Sequence, residues 1–137
     1  MKRIISIALL ITLCLCLFGC GNKPKTDLWA NALYTEDAEL GSGATTIYVD
    51  VVAEDKRVTF TINTDKETVG DALVENNLVS GEKGVYGLYV KFVNGIEADY
   101  DKNQSYWAFT KDGESLMTGV DGEKIGADAH YELTYTK

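Results

Sequence analysis

Hydrophobic and polar positions alternate with a period of two in several stretches of the chain. Over 47–52 the apolar side chains occupy mostly every second position, and the alternation returns over 58–63 after the polar segment 54–57. Such alternation on either side of a short polar break is typical of a β-hairpin. Further strands are predicted over 86–93, 106–110 and 131–135, with a short extended segment over 116–120.

One stretch between these strands has helical periodicity instead. Thr68 is placed to cap a helix, with Asp71 at the reciprocal position of a capping box. Val69 and Leu73 are four residues apart and share one face, and Gly81 is a fitting stop. Two strands, one helix and three or four further strands predict an α+β fold. Its compact form is a β-grasp-like mixed sheet packed on one helix, in which the first hairpin meets the final strand.

The N-terminal residues show a positive start followed by an apolar run. Lys2 and Arg3 precede residues 4–18, which carry no charge. That run is shorter than the roughly 20 residues of a membrane-spanning helix, so a cleavable export signal is favoured. The four residues Leu-Phe-Gly-Cys that end at Cys20 resemble a lipobox, although the Phe is bulkier than usual there. We therefore expect a signal peptide over 1–19 and a lipid-anchored Cys20. An ordinary secretory signal is the alternative.

Residues 20–44 are predicted to form a polar tether that links the anchor to a domain over 45–137. A flexible Gly-Ser-Gly break at 41–43 supports this interpretation. Trp29, Leu33 and Tyr34 interrupt the polarity, and the alternative is that they pack back on the domain.

The charge and the cysteine content argue against several classes of function. The chain has 13 basic and 21 acidic side chains; loss of Lys2 and Arg3 with the signal leaves 11 against 21, a net charge of −10. Such a chain is repelled by phosphate backbones, which makes nucleic acid an improbable partner. All three cysteines lie in the first 20 residues, so a cysteine-based metal site or nucleophile is excluded from 45–137. His130 and the scattered aspartates fit no metal or catalytic pattern, and we predict neither an enzyme nor a metal site.

A set of short motifs in fixed order resembles a known family. The set comprises the helix start at 68–73, the strand end Val-Asn-Gly at 93–95, Tyr-Trp-Ala-Phe at 106–109 and Leu-Met-Thr-Gly-Val-Asp at 116–121. It resembles the transcobalamin C-terminal-like domain family, which includes vitamin carriers and lipid-anchored or surface proteins of Gram-positive bacteria. The resemblance runs from about residue 45 to 137. It implies a soluble-ligand-binding β-grasp fold in a bacterial lipoprotein of the extracytoplasmic membrane face.

The resemblance also implies a ligand, cobalamin or a related corrinoid, captured for delivery to an importer. Residues Leu116 to Gly119 look like the carriers' ligand-facing segment, and Trp107 looks like part of an aromatic pair there. The carriers' helical domain is missing, and a partner protein could complete the cleft. With the surface aromatics added, the candidate ligand-binding residues are Tyr86, Tyr89, Tyr106, Trp107, Leu116, Met117, Thr118 and Gly119.

Two alternatives stay open at this point. Trp107, Phe109 and Leu116 are also typical of the core of a small sheet. The chain as a whole also suits a protein-interaction or cell-wall module without a small-molecule ligand, in which a sheet edge pairs with another chain.

Overall fold

The computed structural model describes residues 27–137. The predicted signal peptide, Cys20 and the start of the tether lie outside these residues. The elements, in chain order, are β1 (Ala38–Gly41), β2 (Thr45–Ala53), β3 (Lys56–Thr64), α1 (Val69–Glu75), β4 (Val79–Gly84), β5 (Gly87–Val93), β6 (Ile96–Glu97), α2 (Tyr100–Asn103), β7 (Tyr106–Lys111), β8 (Glu114–Ser115) and β9 (His130–Thr136). Short 3-10 turns occupy Leu28–Asn31 and Val120–Gly122.

The strands form two sheets, and the fold is α+β as predicted. The larger sheet has the order β1-β3-β2-β9-β7-β8, and β4-β5-β6 form the smaller one. The predicted hairpin is β2–β3, which pair antiparallel, and β2 pairs in parallel with the final strand β9. The mixed sheet in which the first hairpin meets the last strand is therefore confirmed.

The hydrophobic core lies between the larger sheet and a layer made of α1 and the smaller sheet. Alternate residues of β2, β3 and β9 point into it, because successive side chains of a strand face opposite sides. Val69, Ala72 and Leu73 of α1 are fully buried and complete the core from the other side. The largest side chains with less than 2% exposure are Tyr131, Phe60, Ile47, Ile62, Leu73, Leu78, Ile96 and Leu133.

The helix starts where the sequence predicts but ends earlier. Thr68 is the N-cap, and its hydroxyl oxygen accepts a hydrogen bond from the Asp71 N–H at 3.2 Å. The helix ends at Glu75, and Asn77 has the positive φ of 57° that often follows a helix end. The prediction that Gly81 stops the helix is wrong. Gly81 lies in β4, where a Cβ atom would meet the Tyr89 carbonyl oxygen at 1.9 Å.

The N-terminal part of the described chain belongs to the domain, so a tether that extends to residue 44 is wrong. Trp29 is buried, and its Nε1–H donates to the Ala53 carbonyl at 3.0 Å. Lys56 places its Nζ 5.0 Å from the centroid of the same indole ring. The strand β1 pairs in parallel with β3. The alternative that the apolar residues of this segment pack back on the domain is correct for Trp29 and Tyr34, whereas Leu33 is exposed.

Asn94 fastens this N-terminal segment to the smaller sheet. Its side-chain oxygen accepts from the Tyr34 N–H at 2.9 Å, and its side-chain amide donates to the Tyr34 carbonyl at 2.8 Å. Asn94 is fully buried and has a φ of 52°. One amide side chain therefore satisfies both backbone groups of Tyr34, as a neighbouring strand would.

The extended segment predicted over 116–120 is wrong. The strand β8 ends at Ser115, and residues 120–122 form a 3-10 turn. Gly119 is the residue before that turn, and Val120 inserts its buried side chain into the core. Residues 116–119 therefore lie in no strand.

Asp50 is a nearly buried carboxylate that joins the three central strands on the face opposite the core. It accepts from the Thr59 hydroxyl at 2.7 Å, lies 3.1 Å from His130 Nε2 and pairs with Arg57. Burial alone would raise the pKa of the Asp50 carboxyl. The hydrogen bonds from Thr59, His130 and Arg57 outweigh burial and hold that pKa below its ordinary value.

We expect Asn94→Ala to destabilise the domain by about 3 kcal/mol. The change leaves both backbone groups of Tyr34 without their partner and places alanine at a positive φ. Asn77→Ala is the matched control, since Asn77 has a φ of 57° but is exposed; it should cost only about 1 kcal/mol. Urea unfolding measures both. Equal losses would show that the Tyr34 bonds contribute nothing.

The contacts of the Asp50 carboxylate predict that part of the domain's free energy of unfolding is lost in acid. Because the folded-state pKa is lowered, the carboxylate's contribution is present above the unfolded pKa of about 3.9 and is lost as pH falls through the folded value. The difference in unfolding free energy between wild type and Asp50→Asn should therefore be largest near neutral pH and shrink below about pH 4. Asp112→Asn, in an exposed turn, should show no such shrinking difference. A pH-independent difference for Asp50→Asn would contradict the prediction.

Candidate functional site

An apolar groove opens where the smaller sheet meets the edge of the larger one. It lies between β5, β7 and the residues just before the 3-10 turn at Val120–Gly122, and its volume is about 180 Å³. None of its lining side chains carries a charge. The lining residues are Leu88, Tyr89, Val90, Tyr106, Trp107, Phe109, Gly119, Val120 and Leu133.

Trp107 forms a fixed wall of this groove. The residue is only 8% exposed, and its ring meets the Tyr135 ring edge-on, with 5.7 Å between the ring centroids. Its Nε1–H donates to the Lys91 carbonyl at 3.1 Å, and the Ala98 N–H donates to the same oxygen at 2.8 Å. The indole that lines the groove is therefore held in place by packing and by a hydrogen bond.

A β-bulge in β5 makes the Lys91 carbonyl available as the acceptor for the Trp107 indole. Ser80 pairs with Phe92 and the next residue, Gly81, pairs with Val90, so Lys91 is an extra residue in β5. A bulge turns the backbone of its extra residue out of the ladder. The Lys91 carbonyl is thereby free to face Trp107 and Ala98.

The structure brings together only some of the residues that the sequence nominated. Tyr89, Tyr106, Trp107 and Gly119 line the groove. Leu116 is half-buried against the core, which agrees with its alternative assignment as a core residue. The other three candidates do not line it: Tyr86 and Met117 are fully exposed, and Thr118 is an exposed residue beside Gly122.

The sequence interpretation missed several lining residues. Leu88 and Val90 share one face of β5 and were passed over in favour of the tyrosines beside them. Phe109, for which the sequence suggested a core position, also borders the groove, and so does Leu133. The alternation over 86–93 was the available signal for Leu88 and Val90, but it does not say which face meets a cavity.

Two further properties of the described residues bear on function. Within 27–137, no group of three or more histidine, cysteine, aspartate or glutamate side chains is arranged to hold a metal ion. None of the helices in the same range has the length and apolar character needed to span a membrane.

Known proteins share this fold. A family model described as a domain of unknown function, DUF4430, matches residues 66–137. A Ruminococcus gnavus protein, provisionally described as a metal binding protein, has a crystal structure that superimposes with a TM-score of 0.65. The two sequences are 35% identical, and the match covers 69% of this chain and 98% of that one.

Haptocorrin is a second structural neighbour, seen in a crystal structure in complex with Cbi. The TM-score is 0.52 and the identity 16%, over 72% of this chain and 26% of haptocorrin. This likeness shows the fold alone, and the chain spans about a quarter of the haptocorrin length. No curated protein matches the sequence. The match to the family model covers more than half of the chain and shows that the chain belongs to the DUF4430 family.

Proposed function

We propose that this chain is a lipid-anchored surface protein that binds a soluble ligand, a cobalamin or a related corrinoid, in the groove beside Trp107. The main support for this proposal is a groove whose lining side chains are uncharged and partly aromatic. The fold that carries the groove is shared with haptocorrin, whose structure contains Cbi. Small-molecule sites are mostly apolar concavities with a few fixed polar groups. The role is reversible binding without bond chemistry, so we do not propose an enzyme.

The groove chemistry suits the edge of a flat macrocycle. Aromatic rings and aliphatic side chains cover the apolar part of such a ring. Gly119 allows a ligand to approach the backbone closely, because a Cβ built there has no neighbour nearer than the Leu88 carbonyl oxygen at 4.0 Å. Met117 and Tyr86 are fully exposed and extend the apolar surface beyond the groove.

The groove is too small to enclose such a ligand alone. Its volume is about 180 Å³, whereas pockets that bury a drug-sized molecule measure roughly 300–1,000 Å³. We therefore infer that the chain holds one edge of the ligand and leaves the rest exposed. A partner protein, or an importer that receives the ligand, would cover the remainder.

The proposed location rests on the sequence. The apolar run of residues 4–18 and the Leu-Phe-Gly-Cys stretch supply the export signal and acylation site. A net charge of −10 after signal removal would repel an anionic membrane surface. Acyl chains on Cys20 would provide the attachment that the charge does not.

Gly119→Leu should abolish most of the binding. The full chain carrying Cys20→Ser, kept in mild detergent, is titrated into dicyanocobinamide while the visible corrin spectrum is recorded. A leucine at position 119 fills the groove, and we expect the Kd to rise at least about tenfold, which corresponds to roughly 1.4 kcal/mol. Trp107→Phe, which keeps an aromatic wall but loses the Lys91 hydrogen bond, should give a smaller loss. Trp107→Ala is unsuitable, because removing a buried tryptophan costs about 3–5 kcal/mol of stability.

Gly126→Leu is the matched control. Gly126 lies outside the groove, and its nearest neighbour would be the Ala129 Cβ at 3.5 Å, so binding should stay unchanged. The absence of any spectral change for wild type at tens of micromolar would contradict the corrinoid proposal. Equal effects of the two glycine substitutions would contradict the assignment of the groove.

A protein-interaction role is the second candidate, and an open strand edge favours it. Within the described chain, β8 pairs with β7 only at Thr110 and Lys111, and the Leu116 N–H donates to the Phe109 carbonyl. Because backbone groups alternate along a strand, those of Trp107 face the same edge, where no strand covers them. An extended peptide could pair there. Peptide binding that Gly119→Leu leaves intact, together with no corrinoid binding, would favour this role.

A further inference from the structure

The groove wall that carries Gly119 lacks the support of a β-strand. The strand β8 ends at Ser115, and the Leu116 N–H still donates to the Phe109 carbonyl of β7 at 3.1 Å. Residues 117–119 then reach the 3-10 turn at Val120–Gly122 without pairing to either sheet. Met117, in the middle of this segment, is fully exposed. Other contacts must therefore set how far this wall stands from β5.

Asp121 supplies such a contact through its side chain. Its Oδ2 accepts a hydrogen bond from the Leu88 N–H of β5 at 2.9 Å. Leu88 lines the groove, and so do the two residues before Asp121. One hydrogen bond therefore joins two opposing parts of the groove wall.

Two glycines make room for this carboxylate. A Cβ on Gly70 of α1 would lie 2.2 Å from Asp121 Oδ1, a distance that no real side chain tolerates. A Cβ on Gly87 would lie 3.1 Å from the Asp121 Cβ, and Gly87 also has a φ of 101°, which strongly favours glycine. Asp121 is thus enclosed between the start of α1 and the start of β5.

The contacts that follow Asp121 hold a different part of the chain. The Val69 N–H donates to the Glu123 carbonyl at 2.9 Å, and Thr68 forms an isolated bridge with Lys124. These backbone contacts fasten 123–124 to α1 and do not involve β5. Only the Asp121 carboxylate reaches the Leu88 amide.

We infer that Asp121 is a positioning residue: it sets the width of the groove by tying the Gly119 wall to β5 at Leu88. The inference rests on the proposed function for the identity of the ligand. The geometry of the groove, in contrast, can be tested without any ligand.

The test compares Asp121→Ala, Asp121→Asn and the control Asp71→Asn in the full chain in mild detergent. Asp71→Asn removes a nearby exposed carboxylate at the first turn of α1. Amide hydrogen exchange at Leu88, measured by NMR, reports the bond itself. Acrylamide quenching of Trp107 fluorescence, in a Trp29→Phe background, reports the opening of the groove. Titration of dicyanocobinamide reports the effect on binding.

For Asp121→Ala we expect Leu88 exchange to accelerate at least about tenfold, Trp107 quenching to increase and dicyanocobinamide binding to weaken about fivefold. Asp121→Asn keeps an acceptor oxygen of the same reach but loses the charge, so it should restore most of each value. If Asp121→Ala does not fold, Asp121→Asn still tests the inference. It should then show slightly faster Leu88 exchange, slightly stronger Trp107 quenching and slightly weaker dicyanocobinamide binding than wild type. Asp71→Asn should match wild type.

Unchanged Leu88 exchange in Asp121→Ala would overturn the inference. Faster exchange with unchanged Trp107 quenching would also overturn it, because the bond would then have no influence on the groove. If wild type does not bind dicyanocobinamide, the proposed ligand is wrong, and the two ligand-free readouts still decide whether Asp121 positions the wall.

Discussion

The parallel pairing of β2 with β9 is the interaction on which the rest of the structure depends. Val49 lies opposite Tyr131, and Val51 lies opposite Leu133. All four side chains are buried and form the floor on which α1 and the smaller sheet pack. Since β9 also pairs with β7, this one contact between distant parts of the chain determines where β7 lies, and with it the edge of the groove.

The groove is a place where this core reaches the surface. Leu133 belongs to the core and borders the groove, and Trp107 and Val120 do the same from β7 and from the 3-10 turn. No strand of the described chain covers the edge of β7 at Trp107, so core side chains remain accessible there. The apolar character of the groove thus follows from the packing of the domain. Its shape depends on polar contacts, namely the bond from Trp107 to Lys91 and the bond from Leu88 to Asp121.

Much of the fold could be predicted from local patterns, and the failures share a physical cause. The β2–β3 hairpin, the Thr68 cap and the last strand are encoded by nearby residues. The strand β1 could not be predicted, because its four residues gain their stability from pairing with β3 rather than from an alternating pattern of their own. The same holds for the end of α1, since Gly81 is required by a close approach of β5 and not by a helix end.

Some residues of the candidate site could likewise be predicted from the sequence, and others could not. Trp107 and Gly119 were nominated through the resemblance to the vitamin carriers, and Tyr89 and Tyr106 as surface aromatics. The four residues converge on one groove. Leu88 gave no such signal, because an aliphatic residue in an alternating strand suits any core. Tyr86 was indistinguishable from Tyr89 in sequence, yet it lies at a hairpin tip and is fully exposed.

The extra residue at Lys91 makes the smaller sheet sensitive to changes of chain length. Leu88 and Val90 share one face of β5, and both line the groove. A deletion that removed the bulge would slip the ladder by one position, and every side chain of β5 on one side of it would exchange faces. An insertion at the tip, near Val85, would lengthen only an exposed turn. The length of this hairpin can therefore change at its tip but not at its base.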